Sequence, residues 1–105
     1  MTERALFSIG QVVHHRLFNY IGVIYGVDPQ FALTELWYQQ VASSKPPKDK
    51  PWYQVLVNNA VHTTYVAEQN LGVLKHFEPI NHPELNLYFD GHNQAHYLIK
   101  KGLVQ

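Results

Sequence analysis

The clearest pattern along the chain is the alternation of side chains over residues 20–27, which is typical of a β-strand. Since successive side chains of a strand point to opposite faces, two faces are predicted. One carries Ile21, Val23, Tyr25 and Val27, and the other carries Tyr20, Gly22, Ile24 and Gly26. Two glycines on one face indicate that another backbone crosses it closely. The strand ends at residues 28–29, Asp-Pro, because proline has no N–H to donate to a sheet.

Three further segments have the composition of strands. Residues 7–13 form the first of them, and Gly10 marks a bend or a close approach of another backbone near its start. Residues 52–57 and 61–67 are rich in aromatic and β-branched side chains. Between them, residues 58–60, Asn-Asn-Ala, suit a tight turn with a positive φ. These last two segments therefore predict a β-hairpin.

A helical spacing of apolar residues begins shortly after the proline. The positions that fall on one helical side are Leu33, Leu36, Trp37 and Val41. Thr34 is placed to cap the amino end, which predicts a helix of about two turns over residues 35–41. Residues 43–51 follow as a polar run with three prolines, which predicts an exposed connector.

The last third of the chain alternates short apolar pieces with turn signals. A turn or a single helical turn is expected at residues 68–70, and it leads to the apolar piece 71–74. Residues 85–89 and 95–99 then read as two strands that flank a turn at residues 90–93. We therefore predict a second hairpin at this end.

These elements place the chain in the all-β class, because short strands and local hairpins dominate and no βαβ alternation occurs. The expected architecture is a small antiparallel β-barrel of the SH3-like or OB-like kind, with one short helix in a long connector. The chain has 105 residues, of which 46% are apolar and 15% charged. This size and composition predict a single domain over residues 1–105.

Charge and cysteine content exclude several classes of protein. Eight Lys and Arg balance eight Asp and Glu, so no strong field attracts phosphate or anionic lipid independently of sequence. The absence of cysteine removes disulfides, thiol nucleophiles and thiolate metal ligands. No apolar run is long enough for a signal peptide or a membrane span, so we expect a cytoplasmic location and no membrane partner.

We expect no enzymatic activity and assign no catalytic or cofactor-binding residue. Nucleophilic catalysis needs a nucleophile beside a base. The serines are Ser8, at a strand start, and Ser43 and Ser44, in the connector, and none has the sequence context of a catalytic triad. The chain also lacks a glycine-rich phosphate loop that opens a helix.

Seven histidines raise the question of a metal site. His14 and His15 are adjacent but point to opposite faces if the strand continues, so they cannot act together. Among the others, His92 and His96 have the closest spacing, with Asp90 beside them, but a hairpin separates the two side chains and a fourth ligand is needed. His76 and His82 are the remaining choices for it. We favour hydrogen-bonded or exposed imidazoles and predict no metal site.

Aromatic residues make up 13% of the chain and most are expected in the core. A short helix cannot bury three large adjacent side chains on one stripe, so at least one of Leu36, Trp37 and Tyr38 should face outward. The same argument applies to the last hairpin. The candidate protein-interaction residues are Leu36, Trp37, Tyr38, Tyr88, Phe89 and Tyr97, and self-association is the favoured use of such patches.

Positive charge is concentrated in the connector, residues 43–51, which carries three lysines and one aspartate. The candidate DNA contacts are Arg16, Lys45, Lys48 and Lys50. Each neutralised phosphate adds to affinity through counterion release, so four cations predict DNA binding that is weak and strongly salt-sensitive. The alternative is a solubilising loop, and we favour it.

Three parts of the sequence together resemble the bacterial HspQ family, also described as YccV-like or hemimethylated-DNA-binding domains. The first part is residues 7–15 with 20–29, which carry Phe-Ser-Ile-Gly-Gln-Val-Val-His-His, Tyr-Ile-Gly-Val-Ile and Val-Asp-Pro. The others are residues 51–57, Pro-Trp-Tyr-Gln-Val-Leu-Val, and 65–71, Tyr-Val-Ala-Glu-Gln-Asn-Leu. The combination is specific, and the resemblance covers residues 7–83.

The resemblance implies an SH3-like barrel that assembles as a homo-oligomer, a trimer, in the cytoplasm. It also implies a heat-shock or stress factor that modulates protein degradation without being an enzyme, by stimulating the Lon protease and promoting turnover of denatured proteins and the replication initiator DnaA. The family's other label implies binding of hemimethylated DNA at replication origins. Beyond residue 83 the chain departs from the charged, helix-prone tail of the enterobacterial type.

Overall fold

The computed structural model describes residues 4–42 and 44–102, and these are mostly β. The strands are β1 (Val12–His15), β2 (Ile21–Asp28), β3 (Trp52–Val57), β4 (Thr63–Ala67), β5 (Leu71–Val73), β6 (Phe89–His92) and β7 (Tyr97–Ile99). The helices are α1 (Glu35–Val41) and α2 (Leu85–Tyr88), with a 3₁₀ turn at Glu68–Asn70.

Five strands form one antiparallel sheet in the order β4-β3-β2-β1-β5, and β6 pairs with β7 in a separate two-stranded ribbon. The predicted mostly-β class is therefore confirmed. Among the described residues the order runs openly from β4 to β5, so no closed barrel is formed by these pairings. The SH3-like barrel stays a prediction.

Apolar clusters lie on both faces of the sheet. One face holds the cluster of Phe7, Val13, Ile24, Tyr53, Val55, Val66 and Leu71. The opposite face holds two clusters, one beneath the C-terminal elements and one beneath α1. Their buried members are Val12, Val23, Leu56, Ile80, Phe89 and Tyr97 in the first, and Tyr38, Ala42, Trp52 and Ala67 in the second.

A β-bulge in β2 changes the predicted alternation. The register with β3 shifts between Ile24 and Gly26, and the residue added by a bulge moves everything beyond it to the other face. Val27 consequently packs with the Ile24 cluster and not with Val23. The prediction that Gly22 and Gly26 share a face is wrong for the same reason, although backbone from β3 does cross closely over Gly22.

The central helix and hairpin follow the sequence closely. The Thr34 hydroxyl accepts a hydrogen bond from the backbone N–H of Trp37 (3.1 Å), and α1 covers the predicted residues. Strand β3 also has its predicted bounds, and Asn59 supplies the positive φ of the turn (59°). The second arm is shorter than predicted, since β4 begins at Thr63.

The first strand begins later than predicted, and Gly10 is the reason. Gly10 has a φ of 93°, which interrupts an extended chain, so β1 starts only at Val12. Its amide donates to the carbonyl of Ile24 (2.8 Å) and its carbonyl accepts from the amide of Tyr97 (2.8 Å). The close backbone approach predicted at Gly10 is therefore confirmed, and it joins the start of the sheet to β7.

The predicted strand over residues 85–89 is wrong. Residues Leu85–Tyr88 form the single helical turn α2, opened by hydrogen bonds from Leu85 N to His82 O (3.2 Å) and from Leu87 N to Glu84 O (3.0 Å). Strand β6 therefore starts at Phe89, and the hairpin turn moves to residues 93–96, where Gln94 has a φ of 68°. A short apolar run fits either a strand or a buried helical turn, and tertiary packing decides between them.

The connector has no helix or strand over residues 44–51, as predicted, whereas Ser43 lies outside the described residues. In the part of the chain that the structure describes, neither helix has the length and apolar character needed to cross a membrane.

Candidate functional site

A groove of about 430 Å³ lies between α1, the β3–β4 hairpin and the loop from β1 to β2, and we call it the aromatic groove. Its lining consists of His15, Leu17, Phe18, Tyr20, Tyr25, Leu33, Trp37, Val41, Ala42, Ser44, Pro46, Trp52, Gln54, Asn70 and the five residues of β4. None of these residues is a Lys, Arg, Asp or Glu. The groove is therefore an uncharged, largely apolar surface, which is the usual character of a site for apolar groups.

Trp52 forms the floor at the α1 end. Its ring stacks on Tyr65 (centroids 5.2 Å apart) and meets the edges of Phe31 (5.0 Å) and Trp37 (6.1 Å). The indole N–H donates to the carbonyl of Pro47 (3.0 Å), which ties the connector to β3. Aromatic pairs in these geometries add stabilisation beyond their buried area, so the floor is rigid.

Tyr65 fixes the outer wall of the groove. Its hydroxyl donates to the Asp28 carboxylate (2.6 Å) and accepts from the Ala32 amide (3.1 Å). Burial, together with the hydrogen bond to the Asp28 carboxylate, raises the pKa of the Tyr65 phenol far above its ordinary value. The phenol therefore stays protonated and keeps its donor role across the physiological range.

His15 closes the other end of the groove. It is buried at the end of β1, with Phe18 stacked on one side (4.7 Å) and Tyr20 nearby (5.0 Å). Its Nδ1 accepts hydrogen bonds from the amides of Leu17 and Phe18, both at 3.1 Å. An Nδ1 that accepts twice carries no proton, so the ring is neutral with its proton on Nε2, and it holds the loop in place.

The same hydrogen bond, from a backbone N–H in a turn to a histidine Nδ1, occurs at three histidines. The Nδ1 atoms of His15, His82 and His92 each accept from the amide two residues later, at 3.1 Å in every case. Sequence reasoning assigned these histidines no such role. The available signal was position for His92, which stands in the turn predicted at residues 90–93.

Acid is expected to destabilise the protein through His15. Burial, aided by the nearby His14, lowers the pKa of His15 from its ordinary value of 6.5. Between the pKa of His15 in the folded protein and its value in the unfolded chain, the unfolded chain binds more protons than the folded one. The stabilisation that comes from the neutral, buried His15 is therefore complete above about pH 6.5 and is lost as the pH falls through the lower, folded pKa. The unfolding temperature, measured as a function of pH, should fall as the pH is lowered through this window.

The His15→Gln variant should flatten that slope, whereas His14→Gln should keep most of it, because burial of His15 is the larger cause of the shift. His14 makes a suitable control because it lies next in sequence but is only half-buried, with its Nε2 hydrogen-bonded to Asn19 (2.8 Å). An NMR titration in which His15 carries its proton on Nδ1, or titrates above 6.5, would contradict the assignment.

The structure divides the predicted protein-interaction residues into two groups. Tyr38, Phe89 and Tyr97 are buried core residues, so they offer no surface of their own. Leu36 faces outward with 66% of its side chain exposed, as the argument from one helical stripe requires. Trp37 and Tyr88 are half-buried.

Two of the surviving candidates adjoin the same surface. Trp37 lines the aromatic groove directly. The Tyr88 ring packs at a tilt against the Tyr25 ring (centroids 4.8 Å apart), and Tyr25 also lines the groove. Leu36 is not part of this lining, so α1 presents separate exposed apolar positions inside and outside the groove.

Two of the predicted DNA contacts are bonded to α1. Lys45 donates to the carbonyls of Tyr38 (3.0 Å) and Gln39 (2.7 Å), near the helix C-terminus, where a cation is favoured. Lys48 forms an ion pair with Glu35 and lowers the pKa of that carboxyl. Both ammonium groups also lie against the Tyr38 ring. The charge of Lys48 is thus already paired, and the ammonium group of Lys45 is engaged by backbone carbonyls.

The other two predicted DNA contacts line a second cavity of about 420 Å³. Arg16 donates through Nε to the carbonyl of Leu71 (3.1 Å), and Lys50 and Pro47 are also part of the lining. Glu68 lies in the same cavity, where its Oε2 accepts from the Tyr53 hydroxyl (2.6 Å). The four basic residues therefore form two pairs and do not line one common cavity.

The histidines weighed as metal ligands do not come together. His82 is buried and bonded to the carbonyl of His62 (3.0 Å), while the His92 ring packs against Phe77 (4.6 Å). No group of three or more potential ligands is found among the described residues.

One comparison with known proteins bears on this surface. A family model described as hemimethylated DNA-binding protein, YccV like, matches residues 5–96. The match covers the whole five-stranded sheet, the aromatic groove and the start of the C-terminal ribbon. It extends past residue 83, where the resemblance seen in the sequence ended.

Proposed function

Since the chain belongs to the YccV-like family, we propose that it is a non-enzymatic modulator of protein degradation that contacts protein partners through the aromatic groove. The partners are a Lon-type protease, its unfolded substrates, or both. One observation carries the proposal: the aromatic groove is uncharged and lined by aromatic rings. Aromatic side chains of this kind are enriched at protein interfaces.

The distribution of charge favours a protein partner over DNA. DNA affinity depends on cations that can exchange counterions for phosphates. Lys48 is already paired with Glu35, and Lys45 is bonded to helix carbonyls. The half-buried aromatic residues Trp37 and Tyr88, in contrast, lie in or beside one groove. An aromatic groove without cations, together with basic residues split between α1 and the second cavity, supports the adaptor function.

The finer features implied by the family resemblance form part of the same proposal. The five antiparallel strands and the bulge that bends β2 support an SH3-like barrel. Exposed apolar side chains such as Leu87 and Val73 support assembly as a homo-oligomer, a trimer. The proposed location is the cytoplasm, where Lon-type proteases and their substrates meet.

The direct test is degradation of fluorescein-labelled casein by purified Lon protease. Adding the protein in excess is expected to change the rate or the KM at least twofold, because a bound adaptor alters substrate delivery. Serum albumin at equal concentration is the control for nonspecific effects. A Lys48→Gln variant should retain the full effect, since the proposal gives this cation no contact with the partner.

The alternative function is recognition of hemimethylated DNA, favoured by the family description and by the convergence of Arg16 and Lys50 on the second cavity. A fluorescent hemimethylated duplex, titrated at physiological salt, separates the two functions. Unchanged casein degradation together with nanomolar binding of the duplex would overturn the proposal. Weak binding that disappears with added salt would agree with it.

A further inference from the structure

The aromatic groove follows an open edge of the main sheet. All five residues of β4 line the groove. Because consecutive side chains of a strand point to opposite faces, a cavity on one face would meet only alternate residues. A cavity that meets all five lies along the edge of the strand. Strand β4 is the last strand of the sheet, so this edge is the one turned away from β3.

The backbone of that edge has no second strand partner, and its accessible part is residues 63–65, because Val66 and Ala67 are buried. Strand β4 pairs with β3 alone, and outside this pairing no backbone hydrogen bond joins Thr63–Ala67 to another described segment. An edge of this kind presents a row of N–H and C=O groups that can pair with a further strand. The groove thus offers directional hydrogen bonds in addition to apolar contacts.

Side chains on both sides of the edge are held in place. On one side the Tyr20 hydroxyl is hydrogen-bonded to Thr64 (2.7 Å), and on the other the Tyr65 hydroxyl is bonded to Asp28 (2.6 Å). Exposed apolar side chains, Val41 and Leu33, stand over the edge from the α1 side. A preformed edge with apolar walls loses little entropy when a strand binds.

The chemistry of the groove selects its occupant. A helix has no free backbone groups to pair with a strand edge, and a nucleic acid strand needs cations that the lining does not contain. An extended peptide pairs with the edge through its backbone and places alternate side chains in the apolar walls. Charged side chains would be desolvated without a partner, so the peptide must be uncharged where it touches the groove.

We propose that the aromatic groove binds an extended, uncharged, apolar segment of unfolded polypeptide, which adds to the sheet as a sixth strand beside β4. The inference rests on the proposed function and deepens it, because it names the class of substrate and the site that receives it. Unfolded chains expose such segments, whereas folded proteins bury them.

The test uses a fluorescein-labelled octapeptide of alternating leucine and serine, with both ends blocked. Fluorescence anisotropy should show saturable binding to the wild-type protein. Alternation fixes the register, because a slip of one residue would turn the leucines away from the walls. N-methylation of one alternate set of amides should therefore weaken binding at least tenfold, while N-methylation of the other set should change it less than twofold.

Matched surface variants locate the site. Val41→Lys and Leu33→Lys place a cation in the groove and should each weaken peptide binding at least tenfold. Leu36→Lys changes an exposed apolar residue of α1 outside the groove, and Leu98→Lys changes one in β7. Both should bind the peptide as the wild type does. All four positions are more than 40% exposed, so the variants should fold.

Each contrary outcome has a distinct meaning. If both N-methylated sets bind like the parent peptide, no strand is added and the inference is wrong. It is also overturned if light scattering shows that Val41→Lys converts an oligomer into monomers, because the edge then belongs to an interface between copies of this chain. Stimulated casein degradation without peptide binding would overturn the inference but leave the proposed function standing. Peptide binding without stimulated degradation would support the inference but overturn the proposed function.

Discussion

Trp52→Ala is expected to lower the free energy of unfolding by about 3–5 kcal/mol, the range for removing a buried aromatic side chain. Trp52 is 2% exposed and contacts four other aromatic rings. Its loss also frees the connector, because the indole N–H donor to Pro47 disappears. Domains of this size are stable by only about 5–15 kcal/mol, so the variant should be largely unfolded at moderate urea concentrations.

Trp52→Phe separates packing from hydrogen bonding. Phenylalanine keeps an aromatic ring but lacks the donor to the Pro47 carbonyl. Equilibrium urea unfolding of both variants, followed by far-ultraviolet circular dichroism, measures the difference. The phenylalanine variant should retain well over half of the lost stability. An alanine variant that unfolds at the wild-type urea concentration would show that the aromatic cluster does not support the fold.

Gly10→Ala is expected to cost about 2–4 kcal/mol, since it combines backbone strain with a steric clash. Gly10 has a φ of 93°, which L side chains rarely adopt. An added Cβ would also overlap the carbonyl oxygen of Tyr97. The backbone pairing between Gly10 and Tyr97 must then open, and the C-terminal ribbon should separate from the sheet.

Gly91→Ala is the matched control, because Gly91 also has a positive φ (102°) but has no atom within 4 Å of an added Cβ. It should cost only about 1 kcal/mol, from backbone strain alone. The difference between the two variants in urea unfolding isolates the contact with Tyr97. Hydrogen exchange should show faster opening of the ribbon in Gly10→Ala. Equal stability of both variants would rule out the close approach.

The parts of the fold predicted from sequence are those determined by neighbouring residues. Thr34 caps α1 with its own side chain, and Asn59 adopts the turn conformation that its side chain tolerates. Both signals act within three or four residues. The bulge in β2 and the helical turn at Leu85 depend on contacts with distant strands instead, and the local alternation of side chains does not encode them.

The candidate site was predictable only in part, because it too depends on contacts between distant parts of the chain. Sequence identified Trp37 and Tyr88 as surplus aromatics, and both lie at or beside the groove. Burial of Phe89 and Tyr97 is decided by how the C-terminal ribbon packs on the sheet, which spacing along the chain does not show. The role of His15 arises from a hydrogen-bond geometry that only the folded loop creates.

The two faces of the main sheet differ in when their side chains become available during synthesis. Every buried member of the cluster on the Ile24 face has been synthesised by Leu71. The cluster around Val23 on the opposite face waits for Ile80, Phe89 and finally Tyr97. A nascent chain can therefore close one side of the sheet, and the α1 end of the other side, while the part around Val23 stays uncovered. Until the last ribbon emerges, the growing protein presents the kind of apolar surface that chaperones and proteases recognise.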